Sequence, residues 1–193
     1  MRLTIMITMA LALLVTGCAN SPRSGAPGKP GHSAYLAQVV SPGCLGMSAV
    51  NPTLTPPVLY QGMVSCIKTG RQADAVFLFA LAGTYSYFDA LRLDTDAARQ
   101  AHSSMLGEAL KMINTHQQQM FWQSANGALG NRQQLAALCK QVDAIGKPVY
   151  FPQYVMQPTG AGPGAAMPAN TDPLWKTAMN GYLHCATDVM SIR

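Results

Sequence analysis

Acidic side chains are scarce in this chain, and glutamate is nearly absent. Among 193 residues only 8 are acidic, and Glu108 is the sole glutamate. Glycosidases of the common kind need two carboxyl groups that face each other across a cleft. Three of the few aspartates, Asp94, Asp96 and Asp172, stand where helices are predicted to begin, a position that favours negative charge. We therefore do not expect a glycosidase such as a muramidase.

The familiar motifs of catalysis, metal binding and nucleic-acid binding are missing as well. There is no Gly-x-Ser-x-Gly elbow and no Cys-x-x-Cys, and no two histidines lie four residues apart. Ser103 follows His102, but neighbours in sequence do not make a catalytic triad. The net charge is +5, yet lysine and arginine form no cluster of the kind that binds nucleic acids. We expect no catalytic residue, cofactor, metal or nucleic acid, with a hydrolase as the remaining enzymatic alternative.

Charged residues of both signs make up only 11% of the chain, while 49% of it is hydrophobic. This balance predicts a weakly charged surface, part of which faces a partner or a membrane. The alternative is a core rich in methionine and alanine, with glutamine, serine and threonine outside.

The N-terminus has the pattern of an export signal. Arg2 precedes an apolar run from Leu3 to Val15, which is too short to span a bilayer comfortably and has the proportions of a secretory signal. The run ends in Val15-Thr16-Gly17-Cys18, which resembles the lipobox of bacterial lipoproteins. The resemblance implies that residues 1–17 are a signal peptide that is removed. It also implies that Cys18 is the lipid anchor and carries acyl chains such as palmitate.

The same resemblance implies a location in the bacterial cell envelope. Ala19 stands where an aspartate would resemble an inner-membrane retention signal, so we expect the outer membrane, with the protein facing the periplasm. Residues 18–38 begin with a stretch rich in Pro, Gly and Ser, and we expect them to form a flexible tether. The helical domain is then predicted to span residues 39–193.

Four further cysteines fit an oxidising compartment: Cys44, Cys66, Cys139 and Cys185. An even number in an exported chain predicts two disulfides, although four cysteines allow three pairings. We favour Cys44–Cys66 and Cys139–Cys185, which would join an N-terminal loop to the first helix and the fifth helix to the last. A zinc site is the competing interpretation.

The fold class follows from helix signals along the chain. Capping residues, prolines and glycines predict helices near 55–70, 72–91, 94–113, 117–130, 131–146 and 171–189. The second helix is apolar all round at 75–82, which is typical of a buried central helix. Residues 157–170 are rich in Gly, Ala and Pro and are predicted to be a mobile loop. We expect a single all-α domain of five or six helices with a helical hairpin in its core.

The first two predicted helices resemble one helix-turn-helix unit of the tetratricopeptide or Sel1 kind over residues 59–82. The matching residues are Leu59, Tyr60, Gly62, Gly70, Ala73, Asp74, Ala75, Phe79 and Ala82. There is no second copy, and arrays of such repeats need about three units to be stable. The resemblance implies protein binding.

Aromatic residues supply the candidate contacts with a partner: Tyr85, Tyr87, Tyr150, Phe151 and Tyr154. Tyrosines beside Gly- and Pro-rich segments suit a recognition surface. The alternative is that they pack the segment 148–157, which we expect to be ordered and extended, over the helices.

These observations together favour a binding protein that is held at the membrane by its lipid. Tethered lipoproteins of this size that lack catalytic motifs resemble envelope immunity proteins, which neutralise an exported antibacterial toxin. The alternative is a structural or assembly lipoprotein of a secretion or cell-envelope complex. In either case we expect a protein partner as well as the membrane.

Overall fold

The computed structural model describes residues 35–156 and 170–185, and within them it is entirely helical. The six α-helices of this part are α1 (Pro56–Lys68), α2 (Gln72–Leu93), α3 (Asp96–Lys111), α4 (Thr115–Gly130), α5 (Arg132–Ile145) and α6 (Asp172–Leu183). Short 3-10 turns lie at Leu36–Gln38, Met47–Ala49 and Gln153–Val155. The prediction of an all-α single domain is confirmed.

Helix α2 is the centre of the domain. Every residue from Ala75 to Ser86 is buried, and α2 packs against each of the other five helices. An apolar surface on all sides of a helix leaves no face for water, so its neighbours must cover it completely. Helices α1 and α2 form the predicted hairpin, whose turn passes through Gly70 at a φ of +75°. Glycine adopts that left-handed backbone without steric cost.

Local caps set the starts of three helices. The Thr95 side chain accepts the backbone N–H of Ala98, and the Asn131 side chain accepts two N–H groups at the start of α5. Asn114 and Gln117 form a reciprocal capping box. The sequence predicts a short fourth helix beginning at Gln117, but α4 begins at Thr115 and runs for 16 residues, because this cap satisfies its first N–H groups.

Helices α2 and α6 approach closely through two glycines. A Cβ atom at Gly83 would lie 2.0 Å from Cζ of Tyr182, and one at Gly181 would lie 3.0 Å from Cε1 of Tyr87. Each helix therefore receives a tyrosine ring from the other where it has no side chain of its own. The crossing depends on the absence of a side chain at Gly83 in particular.

The two favoured disulfides are present. Cys44 pairs with Cys66, and Cys139 pairs with Cys185. The first ties the loop before α1 to that helix. The second ties α5 to Cys185, which lies two residues past the end of α6, because α6 ends at Leu183 and not near residue 189 as the sequence predicts. Closing loops of 22 and 46 residues restricts the unfolded chain and contributes about 3–4 kcal/mol each in the chain-entropy description.

The folded domain begins earlier than the sequence predicts. The sequence predicts a tether that reaches residue 38, but Tyr35 and Leu36 are buried in the core. Their backbone N–H groups donate to the Glu108 carboxylate at 3.1 and 2.8 Å, and Gln61 donates to the Leu36 carbonyl at 2.8 Å. The only glutamate of the chain therefore fastens the segment that leads into the domain.

Several predictions concern residues outside the described ranges. These are the signal peptide at 1–17, the lipid anchor Cys18, the tether up to residue 34, nearly all of the loop at 157–170, and the C-terminal residues 186–193. Among the residues that are described, no helix is both long and apolar enough to cross a bilayer.

Candidate protein-binding surface

Residues 148–156, here called the aromatic loop, alternate between the core and the solvent. Pro148, Pro152 and Val155 are buried. Between them, Val149 and Phe151 point outwards and are 65% and 40% exposed. Two large apolar side chains exposed within three residues of one another offer a surface suited to contact with a partner.

The inward side of the aromatic loop is held by a buried carboxylate on α2. Asp89 is fully buried and accepts the hydroxyl groups of Tyr150 at 3.0 Å and Tyr154 at 2.5 Å. Its other oxygen lies 2.6 Å from Nη2 of Arg92 and accepts Nε–H of the same guanidinium at 2.7 Å. A buried charge is tolerated when it is paired and fully hydrogen-bonded, and Asp89 meets both conditions.

Arg92 connects this network to the backbone of the aromatic loop. Its guanidinium donates to the Tyr150 carbonyl at 3.1 Å and lies over the rings of Phe88 and Tyr150, at 5.1 and 5.4 Å from their centroids. Such cation–π contacts add attraction in a desolvated site. The Asp89–Arg92 pair thus fixes both the backbone and the side chain of Tyr150.

The protonation states of this network follow from its burial. Desolvation raises the pKa of the Asp89 carboxyl above its usual range, against the opposing pull of Arg92 and the tyrosine hydroxyl groups. Burial, reinforced by the neighbouring Asp89, raises the pKa of Tyr150 and of Tyr154 well above the ordinary tyrosine value. Both tyrosines therefore remain hydrogen-bond donors throughout the physiological pH range.

Contacts outside the network complete the attachment of the aromatic loop. Val149 N–H donates to the Pro52 carbonyl at 3.0 Å. The Tyr154 ring packs edge-on against Tyr35, with 6.3 Å between centroids, and Tyr150 packs in the same manner against Tyr85 at 6.0 Å. The loop backbone is thus fixed while Val149 and Phe151 stay outside.

The structure separates the five aromatic residues that the sequence offered as partner contacts. Tyr85 is fully buried and donates its hydroxyl to the Gly146 carbonyl at 2.9 Å, so it is not a surface residue. Tyr150 and Tyr154 are half-buried supports whose hydroxyl groups face Asp89. Phe151 is exposed on the loop, and Tyr87 is exposed on α2 against Gly181.

Sequence reasoning missed two residues on which this surface depends. Val149 is its most exposed apolar side chain, and the alternation of 148–156 carries the signal that places it beside Phe151. In the sequence, Asp89 is only a polar interruption of an otherwise apolar helix. Its role depends on tyrosines more than 60 residues away, and nothing near it in the sequence reveals that partnership.

A second polar cluster joins α1, α3 and α6 around His102. Nδ1 of His102 lies 2.6 Å from the Tyr60 hydroxyl, and Nε2 lies 3.4 Å from the Tyr182 hydroxyl. Both ring nitrogens therefore face tyrosines rather than Ser103, whose hydroxyl donates to the Gln100 carbonyl. Burial lowers the pKa of His102, which favours the neutral ring. This arrangement links three helices and does not resemble a hydrolase triad.

Neither a metal-binding cluster among the described residues nor a known relative was found. In the part of the chain that the structure covers, no three His, Cys, Asp or Glu side chains are grouped so that they could hold a metal ion. No protein-family model matches the chain, and no curated protein or solved structure is significantly similar to it.

Proposed function

We propose that this chain is a lipid-anchored protein-binding module of the bacterial cell envelope, and that the aromatic loop is its contact surface. One observation carries the proposal. Val149 and Phe151 are exposed on a segment whose inward side chains are locked to the buried Asp89–Arg92 pair. Exposed apolar side chains on an immobilised backbone are suited to recognition.

The physical advantage of this surface is preorganisation. Ordering a flexible side chain or loop on binding costs about 0.5–1.5 kcal/mol for each immobilised side chain. The network around Asp89 orders the loop during folding, so a partner does not have to do so. A partner that covers Val149 and Phe151 then gains their burial, which is worth about 25 cal/mol per Å² of apolar area.

The N-terminal pattern supports action at a membrane. The lipobox-like Val15-Thr16-Gly17-Cys18 motif predicts an anchor, and the Pro-, Gly- and Ser-rich stretch that follows it predicts a spacer before the folded domain. An anchored module meets membrane-associated or newly arriving proteins at a raised effective concentration. The most specific role that fits is that of an immunity protein, which binds an exported antibacterial toxin and neutralises it.

The proposal is tested by crosslinking in cells that express the chain from its own gene. A photoreactive phenylalanine analogue replaces Phe151, and in a matched sample it replaces the exposed Gln133 on α5. We expect a discrete adduct with one protein at position 151 alone. Purified, that protein should bind the chain one-to-one and should be toxic to cells that lack the chain.

Other outcomes contradict parts of the proposal. Recovery of a large stoichiometric complex would replace the immunity role with assembly or scaffolding. The absence of any protein adduct at Phe151, combined with unchanged toxin sensitivity after deletion, would overturn protein binding through this loop.

A further inference from the structure

A set of soft metal ligands lies at the corner between α3 and α4, outside the aromatic loop. Met112, His116 and Met120 follow one another at four-residue spacing. Met112 and Met120 are 39% and 40% exposed, and His116 is exposed as well. This places two exposed thioethers and one exposed imidazole within nine residues of the chain.

The helix places two of these side chains on one face. His116 and Met120 both belong to α4 and are four residues apart. Side chains with this separation stand one above the other, with their Cβ atoms about 5–6 Å apart. An imidazole nitrogen and a thioether sulfur can therefore reach the same ion. Met112 is the C-cap of α3 and precedes His116 across the corner.

Hydrogen bonds fix the corner that brings the helices together. The Asn114 side chain accepts Gln117 N–H at 2.9 Å, and Gln117 returns a bond to Asn114 N–H at 3.0 Å. Gln118 donates to the Leu110 carbonyl at 2.9 Å, which ties α4 to the end of α3. Ile113 is buried between them. These hydrogen bonds hold the backbone of the corner that carries Met112 and His116.

The chemistry of the three side chains selects a particular kind of ion. Thioether sulfur and imidazole nitrogen are soft or borderline donors, and thioethers favour Cu(I) over hard cations such as Mg²⁺ and Ca²⁺. Helix α4 contains no aspartate, glutamate, lysine or arginine, so it offers no carboxylate of its own to neutralise a divalent ion. We propose that Met112, His116 and Met120 bind one Cu(I) ion at the α3–α4 corner.

Competition from cysteine is removed by the disulfides. Thiolates are stronger ligands for Cu(I) than thioethers, but Cys44, Cys66, Cys139 and Cys185 are all paired. In the described part of the chain, the methionine and histidine side chains are therefore the soft donors that remain available.

The test is an anaerobic titration of the full-length chain with Cu(I), kept reduced by ascorbate, against the chelator bicinchoninate. The protein is purified in detergent, and every sample carries Cys18→Ser, so that no free thiol competes. We expect one equivalent of Cu(I) to transfer from the chelator to the chain. His116→Asn and Met120→Leu should each weaken binding by about tenfold or more, since even indirect ligand supports are worth that much. Met112→Leu should weaken it as well.

Matched controls use the same residue types elsewhere on the surface. Met47 is 40% exposed and His184 is exposed, but they lie in different parts of the fold. Met47→Leu and His184→Asn should leave the Cu(I) affinity unchanged. All five substitutions replace exposed side chains, so circular dichroism should report the same helix content and the same melting temperature for each.

A second measurement identifies the ligands directly. Ag(I) has the same ligand preference as Cu(I) and does not change oxidation state, and methionine methyl resonances report its binding. We expect the methyl signals of Met112 and Met120 to shift with one equivalent of Ag(I) while that of Met47 stays in place. Failure of the chain to take Cu(I) from the chelator would overturn the proposal. Binding that survives in the His116→Asn/Met120→Leu double variant, or displacement of Cu(I) by Zn(II), would also overturn it.

Discussion

The hydroxyl of Tyr154 donates a 2.5 Å hydrogen bond to Asp89, which lies 65 residues earlier in the chain. This bond joins the central helix α2 to the aromatic loop. Through this bond, the buried Asp89 carboxylate helps to hold the loop that carries the exposed Val149 and Phe151. The stability of the fold and the order of the loop are therefore linked at one carboxylate.

Tyr154→Phe removes this hydroxyl and keeps the ring. Asp89 retains Tyr150 and Arg92, so the carboxylate loses one of its bonds and stays paired. We expect the free energy of unfolding to fall by about 1.5–3 kcal/mol, the range for a hydrogen bond to a charged group. Urea denaturation followed by circular dichroism measures this. Tyr87→Phe, an exposed tyrosine, is the matched control and should change little.

Arg92→Leu removes the cation and leaves Asp89 without its ion pair. An unpaired buried charge costs about 3–5 kcal/mol of stability. The double variant Asp89→Leu/Arg92→Leu removes both charges and should be more stable than the single variant. Calorimetric melting temperatures give the order directly. A single variant more stable than the double variant would show that the pair is not the source of the cost.

Gly83→Ala places a methyl group where the Tyr182 ring lies. Because the new Cβ would stand 2.0 Å from the ring, α6 must move, and overpacking of this kind costs about 1–3 kcal/mol or more. Gly107→Ala is the matched control on α3, where a Cβ meets nothing within 4 Å. It should stabilise the protein by up to about 1 kcal/mol through helix propensity. Equal effects of the two substitutions in chemical denaturation would contradict the close α2–α6 crossing.

His102 predicts how stability depends on pH. Its folded-state pKa is lowered by burial, so the unfolded chain takes up the proton first on acidification. The His102 contribution is fully present above the ordinary histidine pKa of about 6.5. It decreases as the pH falls below that value and levels off below the folded-state pKa. Urea midpoints measured between pH 8 and pH 5 should show this fall, and His102→Gln should flatten it. An unchanged slope in that variant would assign the pH dependence to other groups.

Much of the helical framework is predictable because its signals are local. Thr95 and Asn131 each cap a helix by accepting backbone N–H groups two or three residues later in the chain. Gly70 forms the turn between α1 and α2. The sequence leaves three disulfide pairings open and favours the observed one, although Cys185, which is predicted to belong to the last helix, lies two residues beyond the end of α6.

The candidate site is less predictable because it depends on distant contacts. The sequence offers Tyr85 as a candidate partner contact, but Tyr85 lies on the part of α2 that its neighbours cover completely. Tyr35 and Leu36 were assigned to the tether, since nothing beside them indicates that Glu108, more than 70 residues later, binds their backbone. The alternation around Val149 and Phe151 is visible in the sequence. Which side chains face inwards is not, because that depends on the hydrogen bonds of Tyr150 and Tyr154 to Asp89.

The exposed apolar residues of the aromatic loop are proposed to bind a protein partner. Calorimetry tests this through the affinity of the purified crosslinked partner for the double variant Val149→Ser/Phe151→Ser. Val40→Ser is the matched control, because Val40 is 90% exposed and lies outside the loop. We expect at least about a tenfold loss of affinity for the double variant, corresponding to about 1.4 kcal/mol, and an unchanged affinity for Val40→Ser. Equal affinity of the double variant and the unmodified chain would contradict binding through this loop.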